Sequence, residues 1–147
     1  MWFYIYQHHF YQNYRKAPVD LFGNKNPIFY DIAFEDRVLL EFYADLLKDC
    51  KFKKVEHWLN AYGDTPLFKG DSALKEIKPV VNPTPLAITF WETSDFEPVI
   101  GIVNLSQTMP TAFIPTFNGD FAKYNGLLRL SPGQLVVFAK NKVCPEQ

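Results

Sequence analysis

The sequence predicts an α+β protein in which an N-terminal strand and a long helix precede a small antiparallel β-sandwich. Three observations lead to this prediction. Residues 2–6 form a short run of aromatic and aliphatic side chains. Apolar residues then recur near helical spacing between residues 28 and 47. From residue 86 onward, short apolar runs alternate with turn sequences, which is typical of antiparallel β-structure.

The composition is that of a folded globular protein. Of the 147 residues, 48% are hydrophobic and 21% are charged, which is enough apolar surface to build a core. The formal net charge is -1, so nothing favours nucleic acid or an anionic membrane as a partner. No apolar run approaches the ~20 residues of a membrane span, and the first residues do not have the pattern of a signal peptide. The sequence indicates no particular compartment.

The first predicted elements are a buried strand over residues 2–6 and, after a long loop, a helix. A turn sequence, DLFGNKNP, occupies residues 20–27. Asn26 is suited to cap the helix and Pro27 to occupy its first position. The apolar stripe consists of Ile28, Ile32, Val38, Phe42 and Leu46. This stripe predicts a helix of about 20 residues that ends near Asp49.

A connector then leads to a predicted domain boundary. Residues 51–60 are predicted to form a short strand or an extended segment, and residues 71–77 one or two helical turns. Three prolines between residues 79 and 85 exclude a regular helix. We therefore assign residues 1–79 to a first domain and residues 80–147 to a second.

Five short strands are predicted in the second domain. They cover residues 86–91, 99–105, 111–117, 127–130 and 135–139. Turn sequences separate them, such as Asn125-Gly126 and Ser131-Pro132-Gly133. Strands of this length and spacing predict an antiparallel sandwich.

No catalytic or metal-binding motif is present in the sequence. Nucleophile-elbow, phosphate-loop, dinucleotide-binding and zinc-protease sequences do not occur. His8 and His9 are adjacent, so on a strand they would point to opposite faces and could not easily share a metal. Glu92 follows a strand but has no evident carboxylate partner for glycoside cleavage. We therefore predict no catalytic residue, no metal and no cofactor within this chain.

Several of these sequences occur in a recognisable order. The aromatic strand at residues 2–6, the D-x-x-G-x-x-x-P pattern of residues 20–27 and the long helix come first. Residues 99–106, VIGIVNLS, and residues 130–134, LSPGQ, follow. In this order they resemble the C-terminal part of β-galactosidase-like glycoside hydrolases: the last strand and helix of a (β/α)8 barrel, then a small C-terminal β-domain.

This resemblance implies a function and a site. The family's catalytic carboxylates lie on earlier barrel strands, and a whole barrel takes about 250 residues. The chain is therefore expected to be a non-catalytic segment of a glycoside hydrolase that is inactive alone, so its status as an enzyme stays open. Barrel active sites lie at the C-terminal ends of strands and in the loops that follow. The residues expected to bind substrate there are Tyr4, Tyr6, Gln7, His8 and Tyr11.

The alternative interpretation is an autonomous carbohydrate-binding or protein-interaction module. It would need an aromatic platform on the sandwich, for which the candidates are Phe90, Trp91, Phe113 and Phe117. Aromatic residues make up 17% of the chain, and they suit a packed core as well as sugar stacking. Carbohydrate is the expected partner, bound weakly or through the missing barrel. Apolar surface left without its barrel neighbours would also favour self-association.

Overall fold

The structure is a computed structural model that describes residues 22–27, 29, 30, 33, 37, 40 and 43–144. Contacts between Cα atoms divide the chain into two compact units, Met1–Leu46 and Leu47–Gln147. Within the described residues, the strands all lie in the second unit. In chain order they are β1 (Lys51–Trp58), β2 (Leu74–Val81), β3 (Leu86–Glu92), β4 (Pro98–Asn104), β5 (Thr111–Phe117), β6 (Leu128–Leu130), β7 (Leu135–Ala139) and β8 (Lys142–Cys144).

Five of these strands form one antiparallel sheet, in the order β1-β3-β4-β7-β8. Its three central strands read LAITFWE, PVIGIVN and LVVFA. β-Branched and aromatic residues dominate them, and such side chains favour an extended, pleated backbone. The neighbouring strands pair in continuous antiparallel register, with Ile88 opposite Ile102 and Ile102 opposite Val136.

The other three strands form a second antiparallel sheet, in the order β2-β5-β6, which contains two prolines. Pro79 lies in the edge strand β2, where a missing N–H is tolerated. Pro115 lies in the central strand β5, but β6 pairs only with residues 111–113. Beyond them, the Phe117 N–H donates to the Asn125 side chain at 2.6 Å. Backbone N–H groups two residues apart on a strand point to the same side, so the nitrogen of Pro115 points to the side of β5 on which Phe117 bonds to Asn125. The pairing with β6 has already ended there, and the missing N–H of Pro115 therefore breaks no hydrogen bond between strands.

The two sheets pack face to face over one hydrophobic core, so the second unit is a β-sandwich. The five-stranded sheet contributes Leu86, Ile88, Phe90, Ile100, Ile102, Val136 and Phe138, and the three-stranded sheet contributes Leu74, Ile77, Phe113, Phe117, Leu128 and Leu130. A 3₁₀ helix, Gly119–Tyr124, adds the buried Phe121 to the same cluster. The Tyr124 hydroxyl donates to the Ala139 carbonyl at 2.8 Å, which ties this helix to β7.

The α+β fold class expected from the sequence is wrong. The residues that the structure describes are mostly β, with 44% in strands and 14% helical, and no helix among them reaches seven residues. The short helix α1 covers only Ala44–Leu47. Most of the apolar stripe behind the long-helix prediction, Ile28, Ile32, Val38 and Phe42, lies outside the described residues. Its aromatic and β-branched residues also have low helix propensity.

At the level of single strands, the outcome differs between segments. The five strands predicted after residue 86 are confirmed to within one residue at each end. The helical turns predicted for residues 71–77 are wrong, because β2 begins there and its pairing with β5 buries Leu74 and Ile77. Strand β2 also runs through the position at which the domain boundary was placed. The strand predicted at residues 2–6 lies outside the described residues.

One further prediction concerned membranes. No helix within the described ranges combines the length and apolar character that crossing a membrane requires.

Two charged side chains of the edge strand β1 point toward the inside of the sandwich. Lys54 is in register with Phe90 and Glu56 with Ile88, and both partners are buried. The Lys54 ammonium lies 3.0 Å from Glu56, 2.9 Å from Asp71 and 4.4 Å from the centre of the Phe90 ring. Asp71 precedes β2, so this ion pair links the edge strands of the two sheets. Inward-pointing charges on an edge strand also disfavour pairing with a strand of another chain.

The Lys54–Asp71 ion pair shifts the pKa of both groups. Burial by itself raises the pKa of Asp71, but hydrogen bonds from Lys54, from the Ala73 N–H and from the Ser72 hydroxyl outweigh it and lower the pKa. Burial by itself lowers the pKa of Lys54, and its hydrogen bonds to Asp71 and Glu56 raise it overall. A carboxyl group with a lowered pKa stabilises the fold above its unfolded pKa, and this stability is lost as pH falls through the folded pKa.

We therefore expect Asp71→Asn to destabilise the sandwich at pH 7 and not in acid. The loss at pH 7 should be below about 1 kcal/mol, because the pair is partly exposed. It should shrink below about pH 4 and disappear near pH 2 to 3. Urea unfolding followed by circular dichroism at several pH values measures this. The control is Glu76→Gln, which removes an exposed contact with Lys78 at 3.5 Å and should change nothing. An equal loss for Asp71→Asn at pH 7 and pH 3 would contradict the ion-pair explanation.

Candidate functional site

The residues predicted to bind substrate lie outside the described part of the chain. They are Tyr4, Tyr6, Gln7, His8 and Tyr11, and the description begins at Phe22. Their expected position at the end of a barrel strand therefore stays a prediction. The candidates that can be built from geometry belong to the β-sandwich.

The aromatic platform predicted on the sandwich is wrong, because most of its members are core residues. Phe113 is fully buried, Phe117 is 2% exposed and Phe90 is 6% exposed. Trp91 is partly exposed, but its ring packs edge-on against Phe52 with 5.1 Å between the ring centres. Successive residues of a strand point to opposite faces, so Phe90 and Trp91 could not share one flat surface.

A fully buried polar side chain, that of Asn104, lies at the end of β4. Its Oδ1 accepts hydrogen bonds from the Thr84 hydroxyl at 2.8 Å and from the Ser106 N–H at 3.0 Å. Its Nδ2 lies 2.9, 3.3 and 3.2 Å from the carbonyl oxygens of Met109, Leu130 and Ser131. Both ends of the amide are therefore fully engaged, and they satisfy polar groups from several separate segments.

The main chain of Asn104 joins the turn that precedes β7. The Asn104 N–H donates to the Gln134 carbonyl at 3.0 Å, and the Gly133 N–H donates to the Asn104 carbonyl at 3.0 Å. Gly133 has a φ of 72°, a left-handed conformation that glycine adopts without steric cost. The Ser131 N–H donates to the Gln134 side chain at 2.9 Å and closes the turn. We call the unit formed by Asn104, Thr84, Ser106 and residues 131–134 the Asn104 node.

An exposed aromatic residue lies in the turn between β3 and β4. Phe96 is 80% exposed and has a φ of 61°, which is rare for a bulky side chain and costs roughly 1–3 kcal/mol. Three hydrogen bonds hold the turn: Thr93 N–H to the Glu97 carbonyl at 2.9 Å, Phe96 N–H to the Thr93 carbonyl at 3.0 Å, and Glu97 N–H to the Thr93 hydroxyl at 3.1 Å. Because glycine or asparagine would adopt this backbone with less strain, folding alone does not require phenylalanine here.

Phe96 borders an open groove of about 270 Å³ that also carries polar side chains. The Lys140 ammonium lies 2.7 Å from the Glu97 carboxylate and 3.5 Å from that of Asp120. The hydrogen bond and charge of Glu97, together with the charge of Asp120, raise the pKa of Lys140, so it is a cation at neutral pH. We call this site the Phe96 groove. The Phe96 groove is lined by Ser72, Phe96, Glu97, Asn118, Asp120 and Lys140.

The acidic residues of the described sandwich that bear on hydrolysis or metal binding lie beside lysine ammonium groups or apart from one another. Glu92, which the sequence placed at a strand end, pairs with Lys53 at 3.1 Å. In the Phe96 groove, the Lys140 ammonium contacts both Glu97 and Asp120. The residues that the structure describes include no group of three or more His, Cys, Asp or Glu that could hold a metal ion.

No protein-family model matches the chain, and no curated protein or solved structure matches it significantly. The class of this protein therefore has to be described from its fold and its candidate sites. It is a small antiparallel β-sandwich with a buried asparagine node and a surface groove beside an exposed aromatic ring. The resemblance to glycoside hydrolases rests on sequence motifs.

Sequence reasoning missed Phe96. The residue directly follows Thr93-Ser94-Asp95, a turn sequence that was used only to separate two strands. A large aromatic side chain in a polar turn has no core position to fill, and this is the signal that could have identified it.

Proposed function

We propose that the chain is a non-catalytic C-terminal segment of a glycoside hydrolase, in which the β-sandwich is a structural accessory domain. The Asn104 node is the observation that carries this proposal. The two sequences behind the β-domain resemblance, residues 99–106 and 130–134, are hydrogen-bonded to each other through Asn104. The pairing of β4 with β7 places these two segments side by side, and the Asn104 side chain adds specific hydrogen bonds between them. Their contact supports the view that both motifs belong to one structural unit.

The pairing of the carboxylates supports the non-catalytic part of the proposal. Glycosidases use two facing carboxyl groups, and the general acid must carry a proton. In the sandwich, Glu56, Asp71, Glu92 and Glu97 each lie within 3.1 Å of a lysine ammonium. Each of these carboxylates therefore faces a lysine ammonium in the described structure, whereas glycoside cleavage needs two carboxyl groups that face each other.

We therefore expect the purified chain to release no nitrophenol from aryl glycosides of the common hexoses and pentoses, above the rate in buffer. The panel should include both anomers, because the stereochemistry of the parent reaction is open. The double variant Glu97→Gln/Asp120→Asn serves as the control. If the unmodified chain hydrolysed a glycoside and this variant did not, the catalytic centre would lie in the Phe96 groove, and the proposal would be contradicted.

A second test reads the coding sequence immediately upstream of Met1. The proposal expects an in-frame extension that encodes the catalytic domain, which takes about 250 residues if it is a (β/α)8 barrel. The extended protein should hydrolyse a glycoside that the chain alone leaves intact. An upstream region that encodes an unrelated fold, or an in-frame stop codon directly before Met1, would overturn the proposal.

A further inference from the structure

The backbone of Phe96 carries strain that its own packing does not offset. The side chain is 80% exposed, so almost none of its apolar surface is buried in return for the left-handed φ of 61°. Strained backbone is concentrated at active sites and ligand clamps, which makes Phe96 a candidate for a binding role. The backbone that carries the ring is fixed, because the turn from Thr93 to Glu97 closes through three hydrogen bonds.

The polar groups beside this ring include both donors and acceptors. The Lys140 ammonium donates, whereas the carboxylates of Glu97 and Asp120 accept, and the Asn118 amide can do both. Asn118 is itself positioned, since its side chain donates to the Ser72 carbonyl at 3.2 Å. A hydroxyl group both donates and accepts, so a ligand rich in hydroxyls matches this set better than a ligand of a single polarity.

We propose that the Phe96 groove binds a neutral saccharide, with one face of a sugar ring on Phe96 and its hydroxyls on Glu97, Asp120 and Lys140. The choice of saccharide over other polyols rests on the proposed function, whereas the position of the site rests on the groove alone. The C–H groups on one face of a pyranose form an apolar surface that fits an exposed aromatic ring.

The charges of the groove exclude other ligand classes. The residues that line the groove carry two carboxylates and one ammonium, which disfavours phosphates and acidic sugars, and the Lys123 ammonium on the Lys140 carbonyl lies outside this lining. A cationic peptide would have to displace Lys140 from Glu97, where the contact is only 2.7 Å. The volume of about 270 Å³ lies at the small end of ligand sites, so one sugar ring fits better than a long chain segment.

The test is a titration of the full chain, followed by ¹H–¹⁵N correlation spectra, with methyl glycosides of glucose, galactose, mannose and xylose. Saturable shifts are expected for at least one of them, centred on the amides of residues 93–97 and 118–120. Glucuronic acid and a lysine-containing tripeptide are the comparison ligands and should bind at least tenfold more weakly. The absence of saturable shifts with all four glycosides would overturn the proposal, as would preferred binding of either comparison ligand.

Variants of Phe96 separate a binding role from a structural one. Phe96→Ala should weaken binding at least tenfold, and Phe96→Trp should retain it within about threefold, since the larger ring still offers a stacking face. Phe96→Asn should also lose binding, yet raise the melting temperature or leave it unchanged, because asparagine tolerates the left-handed backbone. The matched control is Phe52→Ala, which removes another exposed ring and should leave binding unchanged.

The outcomes also separate this proposal from the proposed function. Equal binding by the unmodified protein and by Phe96→Ala would overturn the proposed binding site. It would not affect the proposal that the chain is a non-catalytic segment. A marked drop in melting temperature for Phe96→Asn would show that the ring supports the fold and would likewise overturn the site. Hydrolysis of the glycoside during the titration would contradict the proposed function, whereas the Phe96 dependence of binding would still support the site.

Discussion

Asn104→Ala should lower the free energy of unfolding by about 3–5 kcal/mol. The substitution leaves the buried Thr84 hydroxyl without its acceptor and removes the contacts of Nδ2 with the Met109 and Leu130 carbonyls, and an orphaned buried group costs about 1–3 kcal/mol. It also releases the Ser106 N–H, which helps to shape the loop after β4. For a domain of this size, the loss corresponds to a fall in melting temperature of roughly 15–30 °C. Thermal and urea unfolding followed by circular dichroism measure both quantities.

Asn104→Asp tests whether hydrogen bonding or side-chain volume is responsible. Aspartate has nearly the same shape, but it replaces the donor Nδ2 by an oxygen that would face the Leu130 and Ser131 carbonyls. We expect it to be at least as destabilising as alanine at pH 7, because a buried charge is left without a counter-ion. The control is Asn60→Ala at an exposed position, which should stay within about 0.5 kcal/mol. A loss below about 1 kcal/mol for Asn104→Ala would show that the node is not a main support of the sandwich.

Five of the six strands from residue 86 onward could be predicted because composition and turn chemistry agree there, whereas the short β8 (Lys142–Cys144) was not predicted. Runs such as LAITFWE are rich in side chains that favour extended backbone, and Gly133 follows Pro132 in a turn that needs left-handed glycine. Local preference and tertiary structure then give the same answer. This agreement explains why strand ends were placed to within one residue.

The errors fall where a local signal is outweighed by distant contacts. Residues 71–77 begin with good helix-capping groups, yet the pairing of β2 with β5, some 40 positions along the chain, draws them into a sheet. The prolines were correctly used to exclude helix, but they do not exclude an edge strand such as β2. The long-helix prediction rested on an apolar stripe that lies mostly outside the described residues.

The Phe96 groove could not be predicted from the sequence, because its members come from four separate segments. Ser72 precedes β2, Phe96 and Glu97 lie in the β3–β4 turn, Asp120 belongs to the 3₁₀ helix, and Lys140 follows β7. Only the tertiary fold brings them together. Phe96 is the one residue of the site that the sequence alone could have indicated, because it is an aromatic residue in a polar turn.

Phe117→Ala is the second substitution for which we expect a large effect, about 3–5 kcal/mol of stability. The ring is 2% exposed, with its centre 4.8 Å from that of Phe138 and 6.1 Å from that of Phe121. Its removal leaves a cavity between the two sheets and the 3₁₀ helix. The strand would still be held at this point, because the Phe117 main chain bonds to the Asn125 side chain. The rings of Phe138 and Phe121 therefore cannot easily fill the cavity. For this reason we expect a loss of stability in the upper part of the range of about 3–5 kcal/mol.

The same variant decides between a core role and the platform role that the sequence suggested for Phe117. A platform residue would lose saccharide binding on truncation while stability stayed nearly constant. A core residue would lose stability, while the protein that remained folded still bound through the Phe96 groove. Urea unfolding and the glycoside titration, both carried out on Phe117→Ala and on the exposed control Phe52→Ala, give the two readouts. Unchanged stability together with lost binding would return Phe117 to the ligand site, which its burial between Phe138 and Phe121 argues against.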